Sequence, residues 1–379
     1  MTPDLLTVIL AGALLVMAVI TPMMSPLFRR LHSTGSPTPA APLPKVTVLL
    51  VSNGDHVALD EHLPVYLTQD YAPGYEVVVV TEKADVETEN VLKRYSHDEK
   101  LYHTFVPESS RYMSKSKLAI TLGVKAAKNE WVILTDPRCK PSGNHWIEAM
   151  AKLMTDESNM VLGYVNLAEE AKPYYRFERL HTALYLLRTA QSHRAYRTNC
   201  MHVSFRKSEF MRRNGFLEYL KYSIGEYDFL VNKFSEPGST VVATDPDTWL
   251  QENPLSQKSW QNKQVYFHEV GKHLDGGLGV RLTRIIDQWA LHLNNLLIVG
   301  CIVFAACTSR WILLGAALLA LVLTFILRTL NGKKAFREFD VKVPAWKTFF
   351  YETGMARHAF LTRMRYEYAD KDDFISHKV

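Results

Sequence analysis

The chain alternates between long apolar runs and a mixed stretch of short β-rich runs separated by helical periodicity. Residues 5–20 are almost wholly apolar, and the character continues to Phe28 before Arg29 and Arg30 end it. That is about one bilayer crossing. The positive charge follows the run, whereas in a signal peptide it precedes the apolar core, so the pattern predicts a retained anchor over 4–28. A second apolar region, 296–330, is too long for one crossing and is interrupted by Thr308, Ser309 and Arg310. It predicts two transmembrane helices, 291–307 and 311–328, joined by a tight turn.

Between these lies a segment of different character, 46–285. VTVLLV at 46–51, EVVVV at 76–80 and WVILT at 131–135 are continuous and rich in β-branched residues, the signature of parallel strands buried on both faces. Residues 117–128 place Leu118, Leu122 and Ala126 at helical spacing, with Ser114 or Ser116 as cap. Strand–helix–strand alternation predicts an α/β fold with a doubly wound, mostly parallel sheet. Ligands of such sheets sit at the carboxyl ends of the strands. Here those ends carry Ser52, Asn53, Gly54 and Asp55, then Thr81 and Glu82, then Asp136, Pro137 and Arg138. Proline and small residues over 29–45 form an extended linker. The tail, 329–379, mixes Trp346, Phe350, Arg357, Phe360 and Arg363 and reads either as an interfacial helix or as a helix packed on the domain.

Charge orients these segments. Arg29, Arg30, Arg281, Arg284, Arg328, Lys333 and Lys334 flank the spans on one side, and Arg310 stands on the other. The positive-inside rule puts the middle domain and the tail in the cytoplasm, as expected of an inner-membrane protein in contact with membrane lipid. The net charge of +5, without a basic stripe interleaved with aromatics, argues against nucleic acid as a partner. Cys139, Cys200, Cys301 and Cys307 form no CxxC pair and read as free thiols in a reducing compartment.

LTQDYAPGYEVVVVTEKAD at 67–85 and KLAITLGVKAAKNEWVILTDPRCKPSGNHWI at 117–147 resemble the conserved segments of family-2 glycosyltransferases of the GT-A fold. The anchor–domain–two-helix layout is similar to that of the family's membrane-bound members. The resemblance implies an inverting hexosyltransferase of polysaccharide biosynthesis. Sugar would pass from a UDP- or GDP-sugar to a lipid-linked or glycan acceptor at the cytoplasmic face. Asp136 matches the first aspartate of the DxD motif, which implies contact with ribose and with a divalent metal, Mg2+ or Mn2+, a hard cation suited to oxygen ligands. Asn53, Glu82 and Lys117 match donor-binding positions. Glu226 and Asp228 fall at the acidic motif that supplies the general base, an assignment open between the two. Both also suit the positive end of a helix. Trp260 lies near the family's Gln-x-x-Arg-Trp segment and implies an acceptor-side wall.

The pattern departs from the family in four places. The second DxD aspartate is Arg138, which cannot ligate a metal but suits phosphate oxygens. The stretch 197–207 lacks the glycines that let backbone approach a ligand, leaving His202 as a substitute polar contact on the acceptor side. The acidic and tryptophan motifs are imperfect as well. These departures support an alternative: a catalytically impaired glycosyltransferase-like subunit that binds or scaffolds an active partner.

Overall fold

A computed structural model describes residues 4–32, 42–107 and 114–375, so most of the Pro-rich linker expected over 29–45 lies outside the described residues. The chain forms two units. One comprises Leu31–Ala171, Leu186–Gly276 and Thr362–Val379; the other comprises Met1–Arg30, Lys172–Tyr185 and Gly277–Leu361.

The first unit is built on strands β1 (Val46–Val51), β2 (Tyr75–Glu82), β3 (Leu101–Val106), β4 (Trp131–Thr135), β5 (Cys139–Pro141), β6 (Met160–Leu162), β7 (Val165–Leu167), β8 (His202–Arg206), β9 (Thr240–Val242) and β10 (Leu250–Glu252). The larger sheet has the order β3-β2-β1-β4-β8-β6-β9 and the smaller β5-β10-β7. Strands β1, β2, β3 and β4 are mutually parallel, while β8 runs antiparallel to both β4 and β6. The three apolar runs of the sequence are thus the heart of a mixed α/β, mostly parallel sheet, and β1 and β4 are buried almost throughout. Helix Lys115–Ala126 covers them. Its cap Ser114 accepts from Lys117 N, and Gly123 lies so near β1 that a Cβ there would stand 2.3 Å from Leu49. Near the chain end, Tyr366 and Phe374 pack with Val265, so the last part of the tail belongs to this domain. In the other unit, Trp346, Phe350 and Phe360 leave their rings exposed.

In that second unit, three helices among the described residues are long and apolar enough to cross a membrane: Leu5–Met24, Leu278–Cys307 and Trp311–Glu338. Leu14, Ala18, Ile298, Cys301, Ala305, Leu313, Ala317 and Ala320 form their shared core, the small residues permitting close backbone approach. Arg310 donates to Asp4, the cap of the first helix, at 2.5 Å. The later helices overrun the spans expected at 291–307 and 311–328. Helical hydrogen bonding has no reason to stop at the hydrocarbon edge. The second helix begins where Gly276 and Gly277 adopt positive φ, and the third continues past Arg328.

Arg328, read from sequence as a flanking charge, is fully buried. Its Nη1 donates to Glu352 at 2.5 Å, its Nη2 donates to the Thr21 carbonyl at 2.9 Å, and Asp287 stands 3.8 Å away. Ser25 donates to the other Glu352 oxygen at 2.6 Å. A charge without water must be paired, and removing one partner of such a pair costs about 3–5 kcal/mol. Arg328→Met should therefore lower the thermal midpoint of detergent-solubilised protein markedly. The double change Arg328→Met with Glu352→Leu should recover most of the loss. A double variant as unstable as the single one would show that the pair is not what holds these helices.

Candidate active site

The site begins where β4 ends. Asp136 closes a turn in which its Oδ1 accepts from Arg138 N at 2.9 Å and from Arg138 Nε at 2.7 Å, while its Oδ2 accepts from Nη2 at 2.7 Å. The Asp-Pro-Arg sequence produces this geometry: proline fixes one dihedral, and a short aspartate captures the amide two residues on. The carboxylate beside it holds the Arg138 guanidinium well above its ordinary range.

Two further groups share this field. Asp55 Oδ2 stands 3.9 Å from Arg138 Nε. Burial raises the Asp55 carboxyl, with Arg138 and Lys263 opposing and Asp136 reinforcing the rise. On β10, the buried Glu252 pairs with Lys263 of helix Gln257–Val270. Glu252 lies opposite Cys139 in the small sheet, and Asn253 N donates to the Arg138 carbonyl at 3.0 Å. The sequence placed Asp55 at a ligand-side strand end without assigning it a role, and it carried no signal for Glu252 and Lys263. Asp55 resembles an ordinary helix cap, although its side chain makes no cap bond. The Glu252–Lys263 pair exists only after the small sheet forms.

The start of helix Lys115–Ala126 gathers three expected donor-site residues. Asn53 donates to Ser116 Oγ at 3.1 Å, and Glu82 accepts from Lys115 at 2.5 Å. Lys117 is fully buried and donates to the carbonyls of Tyr222 and Ile224, each at 2.7 Å. It therefore anchors the loop that leads to the acidic motif. That loop is held from another side by the chain end, where Ser223 N donates to the Phe374 carbonyl at 2.9 Å and Tyr222 bridges Ile375.

The two candidate bases part company in helix Glu226–Phe234. Asp228 accepts from Arg197 Nε and Nη2 at 3.1 and 2.6 Å and from Thr198 N at 3.2 Å. The Arg197 guanidinium also lies 3.3 Å from the centre of the Phe267 ring. This carboxylate is committed to structure. Glu226 has no hydrogen bond or ion pair among the described residues, while sharing the field of Lys117 and Tyr227. Desolvation pushes the Tyr227 phenol well above its ordinary range, with Asp136 and Glu226 adding to the effect.

The two acceptor-side expectations meet a different outcome. His202 is fully buried on the inner strand β8, opposite Thr135. It stacks obliquely on Trp146 at 5.5 Å, and Gly163 approaches so closely that a Cβ there would lie 1.9 Å from its ring. Burial pushes its imidazole down to about 3, so it is a neutral core residue and not a polar contact for an acceptor. Trp260 is buried as well, which removes it as an open wall.

A divalent cation expected at Asp136 does not fit these residues. The oxygens it would need already accept three hydrogen bonds from Arg138, whose guanidinium stands where a second carboxylate would be required. No cluster of three or more His, Cys, Asp or Glu able to hold a metal occurs among the described residues.

A mostly parallel mixed sheet thus gathers carboxylates and fixed cations at its strand ends, on a chain that also carries three helices long and apolar enough to cross a membrane. The profile of glycosyl transferase family 21 matches residues 9–266, and the chain belongs to that family. The motif resemblance was to family 2; the common ground is the GT-A glycosyltransferase class. No curated protein matches the sequence. Among solved structures, mannosyltransferase PcManGT from Pyrobaculum calidifontis in complex with GDP-Man and Mn2+ is similar at 16% identity and a TM-score of 0.51, covering 88% of this chain and 97% of its own. S. aureus TarS 1-349 in complex with UDP-GlcNAc is similar at 12% identity and a TM-score of 0.43, covering 83% and 92%.

Burial pushes the Lys117 ammonium down to about 8 from 10.5, with Glu226 opposing the shift. Between those values the unfolded chain holds a proton that the folded chain has released. Stability therefore rises with pH across that window and is lost as pH falls through about 8. The full effect is on the order of 3 kcal/mol. Thermal midpoints of wild type and Lys117→Met, measured from pH 8 to pH 10.5, should converge or diverge accordingly: the methionine variant lacks this rise. Parallel pH profiles would refute the assignment.

Proposed function

We propose that this glycosyltransferase inverts the anomeric centre as it moves a sugar from a UDP- or GDP-sugar to a lipid-linked or glycan acceptor at the cytoplasmic membrane face. The observation that carries the reading is the division of labour between Glu226 and Asp228: Asp228 is locked by Arg197 and Thr198, and Glu226 keeps its carboxylate unpaired among the described residues. Glu226 is the general base. The acceptor oxygen attacks the anomeric carbon from the face opposite the diphosphate, its proton passes to Glu226, and the bond to the phosphate oxygen breaks with its electron pair leaving on the nucleoside diphosphate. A base placed for such a proton contributes about 10²–10⁴-fold to rate. Asn53 and Glu82, tied to the start of the Lys115–Ala126 helix, line the donor side. Lys117 acts as a positioning residue for the base through the Tyr222 and Ile224 carbonyls.

Family membership and the GDP-mannose complex of a protein with this fold support a nucleotide-sugar donor. The orientation rests on the charges that remain at the helix ends. Arg29, Arg30, Arg281, Arg284, Lys333 and Lys334 stand on the domain side by sequence, whereas Arg310 is paired with Asp4. Removing the buried Arg328 from the count leaves the bias unchanged. The saturation of Asp136 by Arg138 favours a second reading, an impaired subunit that partners an active transferase.

Two measurements separate these readings. Release of UDP or GDP from a panel of nucleotide sugars by membranes containing the protein should fall about 10²–10⁴-fold in Glu226→Gln, with the thermal midpoint kept. Asp228→Asn should instead lose stability, by about 3–5 kcal/mol, because Arg197 is left uncompensated. Wild type that releases no nucleotide beyond the Glu226→Gln level favours the impaired subunit. For topology, Cys307 is exposed while Cys139, Cys200 and Cys301 are buried. A membrane-impermeant maleimide should label Cys307 from the outer face of right-side-out vesicles; labelling confined to inverted vesicles would reverse the orientation.

A further inference from the structure

We propose that Arg138 and Lys263 together take the place of the divalent cation, binding the diphosphate of the nucleotide through fixed guanidinium and ammonium donors. This rests on the reading of the site as a donor site. A cation entering at Asp136 would have to displace three hydrogen bonds from Arg138, exchanging a charge already present for one brought from solution. The guanidinium has five donors in a rigid fork. Nε and Nη2 are pinned on Asp136, and Nη2 also reaches Met201 Sδ at 3.7 Å. Nη1 has no partner among the described residues, and the side chain is 30% exposed. One edge of the fork is thus fixed by the protein, and Nη1 is left to donate to phosphate oxygens, which a guanidinium suits.

Lys263 adds the second charge. Its Nζ carries three donors and pairs with the buried Glu252, while the side chain itself stays 26% exposed. Lys263 reaches Glu252 from helix Gln257–Val270, and Glu252 stands opposite Cys139, the residue after Arg138. Both cations act on Asp55. Two fixed unit charges equal the charge of the ion they replace. Because each is paired with a carboxylate, the site offers directed donors more than surplus charge, and preorganisation carries the binding.

The test is calorimetric titration of UDP and of GDP into full-length detergent-purified protein, in EDTA and again in Mn2+. Wild type should bind one nucleotide in EDTA, with Mn2+ changing Kd by less than about twofold. Arg138→Gln and Lys263→Gln should each weaken binding about tenfold or more, the loss of a hydrogen bond to a charged group, measured below the thermal midpoint of each variant, which falls because a largely buried carboxylate loses its partner. Arg138→Asp should bind only with Mn2+. Should the Arg138 variants not fold, the wild-type comparison of EDTA with Mn2+ and Lys263→Gln decide the matter. Wild-type binding that requires Mn2+ overturns this proposal and leaves the donor-site reading standing. So does binding in EDTA that neither glutamine variant weakens. Absence of binding by folded protein in both conditions removes the donor-site reading, and this proposal with it.

Discussion

The ion pair between Asp136 and Arg138 sets what the rest of the site can be. It is formed by residues two apart, so chain entropy hardly opposes it, and it uses both carboxylate oxygens and a backbone amide. It fixes the turn between β4 and β5, and with it the first strand of the small sheet. That sheet in turn brings Glu252 beside the turn, where Lys263 of helix Gln257–Val270 meets it. A site of this kind cannot treat Asp136 as a free ligand. Any anion or cation approaching it meets a charge that is already spoken for, and the unsatisfied donors around it, not the carboxylate, are what a ligand would see.

The same logic governs the acidic helix. Gly225 enters it with φ of 85° against Val270, a conformation that a side chain would strain. The preceding loop is pinned by Lys117 on two carbonyls and by the chain end on the other side. A buried lysine is a poor choice for holding a loop unless the carbonyls it binds have no other donors, because its ammonium loses hydration. Here it leaves Glu226 at a fixed place with its carboxylate unspent, while Asp228, two residues on, has turned to the opposite side to compensate Arg197. Two carboxylates in one short motif thus acquire different duties from their neighbours alone.

Much of this was legible in the sequence, and the reasons divide cleanly. Strands β1, β2 and β4 were readable because parallel strands buried on both faces leave continuous apolar runs. The position of Asp136 at a strand end was readable because it follows one of them. Asp228 and Glu226 could not be told apart, since the arginine that commits Asp228 comes from position 197 and only tertiary structure brings it near. His202 looked like a substitute polar contact because sequence does not say which strand lies inside a sheet; an antiparallel β8 inserted beside β4 buries it. Arg328 was misread for a related cause. A charge at the end of an apolar run normally marks the water boundary, but the helix continues to Glu338 and Glu352 meets the guanidinium from a segment twenty-four residues on.

These cases share a physical rule that separates family from mechanism. The GT-A scaffold requires apolar strands and a covering helix, and those demands are met by many interchangeable residues, so the fold persists through extensive substitution. A metal site requires particular oxygens left unpaired, and one arginine at position 138 suffices to occupy them. Family membership therefore carries over the sheet and its strand ends. How charge is balanced at those strand ends does not carry over with the scaffold, because that depends on the local set of fixed charges. In this chain the balance has been moved from carboxylates awaiting an ion to carboxylates that already hold their cations.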